Sequence, residues 1–439
     1  MRLRVSRRPE IFFLAAMLAL AVAALLRLGQ APAVGPVAID LAAPAPIPRD
    51  LGDPQMIEQL QAYLRANPDD SAAYANLGLA LLQRVRDTGD PALYTQAEEA
   101  FAAALQRDPH HLDALVGQGV LALARHQFQT ALEWGERARE VAPLRAVVYG
   151  LLGDAYVELG RYDEAVAAIQ QMVDIRPDLN SYSRVAYVRE LYGDVDGAIT
   201  AMEQALDAGA AGGENSLWVR VQLANLWFNR GDPARAEAQY LIALAQRADY
   251  PYALEGLARV RAAQGQASEA IAIYRELVDR LPLPQFVIGL GELYAALGDQ
   301  GAAAEQFRLA EAMQQLSASA GVAVDLELAL FAADHGDNPA AALRLAQAAY
   351  TAHPGIYAAD ALAWAFYHSG DYVQAARYSA EALRLNTRDA NLYFHAGMIA
   401  YAGADHAAAR EYLQTALAIN PHFSPLRAAQ AHATLEELR

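Results

Sequence analysis

Cysteine and lysine are both missing from this chain of 439 residues. Without cysteine there can be no disulfide, no thiolate ligand for a metal ion and no cysteine nucleophile. Without lysine there can be no phosphate-binding loop of the Walker type, no Schiff-base lysine and no kinase-type phosphate lysine. These two absences exclude several large classes of enzyme.

Positive charge is also scarce, because the formal net charge is −17 at pH 7. Nucleic acid is therefore not an expected partner, since phosphate binding needs clustered Lys and Arg. None of the ten histidines lies four residues from another, so the helical spacing of metal ligands is missing. No serine lies in a nucleophile-elbow sequence, and the acidic pairs are those expected on solvated helix faces. The sequence predicts a protein that is not an enzyme, with no catalytic residue, no cofactor and no metal site.

The chain begins with a basic segment, which is followed by an apolar run without charged residues from Ile11 to Leu26. Basic residues stay on the cytoplasmic side of a membrane, so the chain beyond the run is predicted to lie outside the cytoplasm. The run is slightly shorter than the ~20 residues that span a bilayer. Residues 1–29 are therefore predicted to be either a transmembrane signal anchor in a bacterial cytoplasmic membrane or a signal peptide. Cleavage near Ala31–Ala33 would release a periplasmic or secreted protein.

Residues 30–53 are rich in Pro and Ala without helical periodicity and are predicted to form an extended tether. Beyond them the sequence repeats itself. An alanine recurs at intervals of 33, 34 or 38 residues, and in most units a Gly or Ala precedes it by twelve residues, as Gly153 precedes Ala165. Two small residues at these positions let the helices of a hairpin cross closely. The recurring alanines are Ala97, Ala131, Ala165, Ala198, Ala236, Ala270, Ala303, Ala341, Ala375 and Ala409.

Each such hairpin can bury its apolar face only against its neighbours, so the pattern predicts a quasi-one-dimensional stack. It resembles the tetratricopeptide repeat family over about residues 53–421. The resemblance implies an all-α, right-handed superhelical solenoid of about ten helix–turn–helix repeats with a C-terminal capping helix. The family binds peptides and proteins on a concave surface lined by first helices, and mostly lacks catalysis of its own. The unit that matches the signature best has Tyr149, Leu152, Gly153, Tyr156, Ala165 and Pro177.

The ligand-carboxylate clamp of that family uses lysine, so acidic C-termini are not expected ligands of this chain. A glycine-rich stretch at residues 207–216 predicts a boundary between an N-terminal block, 54–206, and a C-terminal block, 217–422. A longer loop within one continuous stack is the alternative. Residues 423–439 are predicted to form the capping helix.

Aromatic and polar side chains lie together on the predicted concave faces of the first helices. Such side chains suit a peptide groove, because aromatic rings bury area and polar groups offer hydrogen bonds. The alternative is that they pack inside a tight superhelix. We expect three of them, Trp364, Tyr367 and Phe394, to form one exposed patch. The candidate partner-binding residues are Trp218, Asn225, Phe228, Tyr357, Asp360, Trp364, Tyr367, His368, Phe394, Met398 and Tyr401.

The prediction of function is a non-enzymatic scaffold or adaptor. It would hold a protein or peptide partner outside the cytoplasmic membrane, to which its N-terminal helix attaches it, in envelope assembly, secretion or transport. Two alternatives stay open: a small-ligand receptor or enzyme accessory built on the same frame, and a structural protein that self-assembles.

Overall fold

The computed structural model describes residues 52–210, 213–319, 326–336 and 338–439. Within these ranges the chain forms 22 α-helices and no β-strand, as the repeat pattern predicts. The predicted signal helix and all but the last two residues of the predicted tether lie outside the described residues. No helix in the ranges above combines the length and the apolar composition that a membrane crossing needs.

Consecutive helices from α2 to α21 pair into ten hairpins, α1 precedes the first hairpin, and α22 follows the last. Each hairpin packs against the next along the chain. The helices are α1 Pro54–Ala66, α2 Ser71–Thr88, α3 Leu93–Arg107, α4 Leu112–Ala124, α5 Phe128–Val141, α6 Ala146–Glu158, α7 Tyr162–Ile175, α8 Leu179–Leu191, α9 Val195–Ala208, α10 Glu214–Asn229, α11 Pro233–Gln246, α12 Pro251–Ala263, α13 Ala267–Arg280, α14 Pro284–Ala296, α15 Gln300–Ser319, α16 Leu326–His335, α17 Pro339–Ala352, α18 Ile356–His368, α19 Tyr372–Ala382, α20 Ala390–Ala402, α21 His406–Ile419 and α22 Arg427–Glu437.

Small residues lie where the two helices of each hairpin cross. A Cβ atom added at Gly153 would lie 2.7 Å from Cγ1 of Ile169, so only glycine fits this crossing without a shift. Nine of the ten predicted alanines are at most 1% exposed. The prediction is wrong for the tenth alanine, Ala341. Because α17 begins at Pro339, the backbone N–H of Ala341 donates a hydrogen bond to the side chain of the N-cap residue Asn338, and the neighbouring Ala342 takes the buried position.

In eight of the ten hairpins, one residue with a left-handed backbone forms the turn and lies two residues beyond the end of the first helix. Between α6 and α7 this residue is Gly160, whose φ is 67°. His126 and Ala404 occupy the same turn position in other hairpins with φ 58° and 60°, although side chains disfavour that region.

The stack winds so tightly that hairpins far apart in sequence touch. The hydroxyl of Tyr162, at the start of α7, accepts a hydrogen bond of 2.9 Å from the backbone N–H of Ile356, 194 residues later. In this contact, the turn between the two helices of the third hairpin meets the junction after the eighth hairpin, which lies five hairpins later. Two further hydrogen bonds repeat this pairing, at Leu191–Thr387 and Phe228–Asn420.

The largest buried cluster reflects this winding, because it runs from Leu60 to Leu226 and also includes Ile356. It contains residues on both sides of the glycine-rich stretch at 207–216. At that stretch the hydroxyl of Ser216 donates a 2.6 Å hydrogen bond to the carbonyl of Ala210. The division of the stack into two blocks stays a prediction.

A buried histidine lies at one of the contacts between distant hairpins. His353, at the end of α17, is 4% exposed and packs edge-on against Phe128, with ring centroids 5.0 Å apart. Burial, together with the nearby His126, lowers the pKa of His353 to about 4. The imidazole is therefore neutral in the folded chain at pH 7, and its protonation opposes this contact.

We expect Gly153→Leu to destabilise the third hairpin by roughly 1–3 kcal/mol, because the added side chain collides with Ile169. Repeat stacks open locally, so amide hydrogen exchange should become faster in α6, α7 and their neighbours first. Gly301→Leu is the control, since the nearest atom to an added Cβ there is Asp299 Oδ1 at 3.7 Å. Equal exchange rates in the two variants would contradict the assigned crossing.

The chain should also lose stability on acidification through His353. The unfolded histidine binds a proton near pH 6.5, whereas the folded one resists protonation until about pH 4. Its contribution is therefore complete above pH 6.5 and is lost as the pH falls towards 4, by about 3 kcal/mol in all. Thermal unfolding of His353→Gln should depend less on pH over this interval than that of the unchanged chain. His432→Gln, at an exposed position, should keep the pH dependence of the unchanged chain. An identical pH dependence in all three proteins would refute the role of His353.

Candidate functional site: a cavity on the inner face of the stack

A cavity of about 510 Å³ lies on the inner face of the C-terminal half of the stack. Helices α10, α12, α13, α14 and α16 line one side, and residues 421–428, which lead from α21 into the start of α22, line the other. Leu297 is 54% exposed and stands at the rim. The large apolar side chains that line the cavity are Phe228, Ile288, Leu293, Leu330, Phe331 and Phe423.

The hairpin geometry explains which residues reach the inner face. In two first helices, the residue directly after the small crossing residue reaches the cavity. Arg259 follows Ala258 in this way, and Glu292 follows Gly291. Both line the cavity, one from α12 and the other from α14. The repeat therefore brings equivalent positions of two hairpins, Arg259 and Glu292, to the same cavity.

At one end of the cavity, Arg259 ties two helices together. Its Nε lies 2.8 Å from Oε1 of Glu255, one turn earlier in α12. Its Nη2 donates a 2.7 Å hydrogen bond to Oδ1 of Asn225 in α10, and the guanidinium lies over the ring of Phe228. Burial raises the pKa of Glu255, although Arg259 and Tyr274 oppose that shift. Arg259 thus pairs with both Glu255 and Asn225.

At the other end, Arg427 from α22 reaches across the cavity to Asp334 at the end of α16 and forms an ion pair with it. Asp334 also accepts a 2.7 Å hydrogen bond from Nε1 of Trp364. Burial alone would raise the pKa of Asp334, but Arg427 and the neighbouring His395 hold it below its usual value. Asp334 is therefore a fully ionised and fully paired carboxylate.

Glu292 and His335 lie beside this ion pair. His335 Nε2 is 3.5 Å from Oε1 of Glu292, and Arg427 Nη2 is 3.9 Å from the same oxygen. Glu292, Asp334 and His335 bring their potential ligand atoms within 4.8 Å of one another, so this is where the described residues could hold a metal ion. The guanidinium of Arg427 supplies the positive charge between the two carboxylates instead.

The expectation of an exposed aromatic patch is wrong for two of its three residues. Trp364 is 4% exposed and Phe394 is fully buried, whereas Tyr367 is half-buried. Trp364 stacks between Tyr367 and the buried His395, with ring centroids 4.5 and 4.2 Å away. The tight winding brings neighbouring first helices together, and the rings fill the space between them.

The other candidate residues divide into three groups. Asp360 is buried and accepts or shares a 2.8 Å hydrogen bond with Nδ1 of His395, and Trp218, Phe228 and Met398 are buried as well. Half-buried positions are taken by Asn225, Tyr357 and Tyr401, and His368 is exposed. Phe228 alone among the candidates lines the cavity. Binding of a partner by the accessible members stays a prediction.

Five charged residues of the cavity were missed in the sequence: Arg259, Glu292, Glu255, Asp334 and Arg427. A signal for the first two existed, because they occupy the same repeat position as the candidates Asn225 and Trp364. The sequence holds no such signal for Asp334 and Arg427, because 93 residues separate them and only the winding of the stack makes them neighbours.

Two family models for the tetratricopeptide repeat match this chain. One covers residues 113–178, and the other covers residues 57–95, 221–283 and 361–422. Together they account for just over half of the chain.

Curated relatives include the Cellulose synthase 1 operon protein C of Komagataeibacter xylinus, which is 26% identical over 62% of this chain and 19% of its own length. A TPR repeat-containing protein of Treponema pallidum is 30% identical over 34% of this chain and 18% of its own length. The chain thus matches less than a fifth of the length of either relative. Among solved structures, human IFIT1 is similar at 15% identity over 76% of this chain and 78% of its own, with a TM-score of 0.48. By the family matches, which agree with the ten hairpins and their small crossing residues, this chain belongs to the tetratricopeptide repeat family.

Proposed function

We propose that this protein is a non-catalytic scaffold that binds a protein partner by taking a peptide segment of that partner into the inner cavity. The observation that carries the proposal is the cavity itself, which combines apolar walls, a few charged groups and an exposed apolar rim at Leu297. Binding sites commonly pair large apolar surfaces with a small number of placed polar groups. Protein binding is also the usual activity of tetratricopeptide repeats.

A small-ligand receptor is the second candidate, and the size of the cavity favours it. A volume of about 510 Å³ falls within the range of ligand pockets. The two candidates differ in what should be found at the rim, because a peptide continues beyond the cavity and a small ligand does not.

A photo-crosslinking amino acid at Leu297 should therefore capture one protein partner in cells, whereas the same amino acid at Val373, 79% exposed on α19, should not. The capture should fall about tenfold in Ala296→Trp, since Ala296 lines the cavity and the indole would fill it. Ala407→Trp, at an exposed position of α21, should leave capture unchanged. Stability should change by less than about 0.5 kcal/mol in either variant, as is usual for surface positions.

Capture that is insensitive to Ala296→Trp would contradict a role for the cavity. A small molecule that co-purifies with the unchanged chain, but not with Ala296→Trp, would favour the receptor.

We further propose that the repeats lie outside a bacterial cytoplasmic membrane, because arginines precede the apolar run that begins at Ile11. The name of the Komagataeibacter relative, which refers to a cellulose synthase operon, supports a place beside an envelope or export machinery. The N-terminal segment would attach the protein to the membrane or direct its export.

A phosphatase that is active only after export should be active when fused after Arg439. Its activity should be lost when Arg2, Arg4, Arg7 and Arg8 are moved to the other end of the apolar run, because the orientation follows the basic residues. A fluorescent cytosolic fusion without phosphatase activity would overturn the proposed location.

A further inference from the structure

Glu292 is the one charged side chain of the cavity that makes no hydrogen bond with any described residue, which sets it apart from its neighbours. Its nearest cationic atoms are His335 Nε2 at 3.5 Å and Arg427 Nη2 at 3.9 Å. Both lie beyond the range of an N–H···O hydrogen bond. A carboxylate that is four-fifths buried gains from a close donor, because burial removes the water that would otherwise solvate it.

The other carboxylates of the cavity already have such donors. Arg259 Nε is 2.8 Å from Glu255, and Asp334 is paired with both Arg427 and Trp364. Three carboxylates thus face two guanidinium groups across the cavity. One carboxylate therefore has no guanidinium group in close contact, and the distances show that it is Glu292.

The walls around Glu292 suit a long side chain with a charged end. Ile288 lies one helical turn before it in α14, and Leu330 and Phe331 lie across from it in α16. Lysine and arginine can lay their methylene stems along apolar surface while the charged head reaches an acidic group. Arg427 demonstrates that a guanidinium fits between the carboxylates at this end of the cavity.

We propose that the occupant of the cavity is a basic peptide segment, with one Lys or Arg side chain inserted past the apolar rim to end at the carboxylate of Glu292. The formal net charge of −17 adds to this preference, since it attracts basic partners at long range. The inference rests on the proposed function, because it presumes that the cavity receives a peptide.

The test uses the purified full chain and a set of fluorescent, amidated hexapeptides. Their flanking positions are mixtures of apolar residues, and their fourth position is Arg, Lys, norleucine, Gln or Glu. The Arg and Lys sets should bind about tenfold tighter than the norleucine set, and the Glu set should bind weakest. Raising the salt from about 0.05 M to about 0.5 M NaCl should reduce the advantage of the basic sets.

Glu292→Gln keeps the shape of the side chain and removes its charge, so the basic and norleucine sets should then bind within about twofold of each other. Glu305→Gln is the matched control, because it removes the same charge at an exposed position of α15 in the same hairpin. That variant should keep the full preference. If Glu292→Gln does not fold, the affinities of the unchanged chain still decide which charge the cavity prefers. The inference requires the Arg and Lys sets to bind tighter than the norleucine set, and the norleucine set tighter than the Glu set.

The outcomes separate the two proposals. Hexapeptides that bind without a basic preference, or with one that survives in Glu292→Gln, would overturn the inference and leave the peptide-binding function standing. A preference for the Glu set would reverse the assigned charge. Failure of every set to bind the unchanged chain would overturn both the inference and the peptide-binding function.

Discussion

The close crossing of two helices at a pair of small residues is the contact on which every level of this structure depends. Where Gly153 meets the helix that carries Ala165 and Ile169, one added carbon would already collide. The close approach leaves little space between the two helices of a hairpin, so most of its large side chains pack against the neighbouring hairpins. Ten repetitions of this geometry turn a local packing rule into a continuous stack, whose stability is a sum of nearest-neighbour contacts.

The same stack meets itself, and this second set of contacts is of a different kind. Tyr162 bonds to the backbone at Ile356, and the bonds at Leu191–Thr387 and Phe228–Asn420 repeat that arrangement. These contacts join hairpins that no simple one-dimensional stack would bring together. They leave little space on the inner face, so polar side chains there must satisfy one another. Asp154 and Arg184 do so through a fully buried pair of 2.6 and 2.7 Å hydrogen bonds.

This geometry changes what kind of binding the repeats can perform. A wide superhelix offers a long groove, whereas the inner face here is filled by rings such as those of Trp364 and Phe394. The described residues still leave a cavity, which is closed at one end by Arg427 and Asp334 and lined by Glu292. A cavity of this size suits one or two side chains of a peptide segment whose remainder continues beyond the rim. Specificity would then depend on a single charge and its apolar surroundings.

The sequence alone determined the hairpins, because the helix period and the small crossing residues depend on contacts within a few turns of chain. It predicted nine of ten crossing alanines, and it failed at Ala341 because one residue of helix start shifts the buried position to Ala342. Only the tertiary structure decided that Trp364 and Phe394 are buried, that Arg427 meets Asp334, and where the cavity lies. The physical reason is that small rotations between adjacent hairpins add up. One such rotation cannot be recognised in the sequence of any one repeat, but the sum over five hairpins decides which distant residues touch.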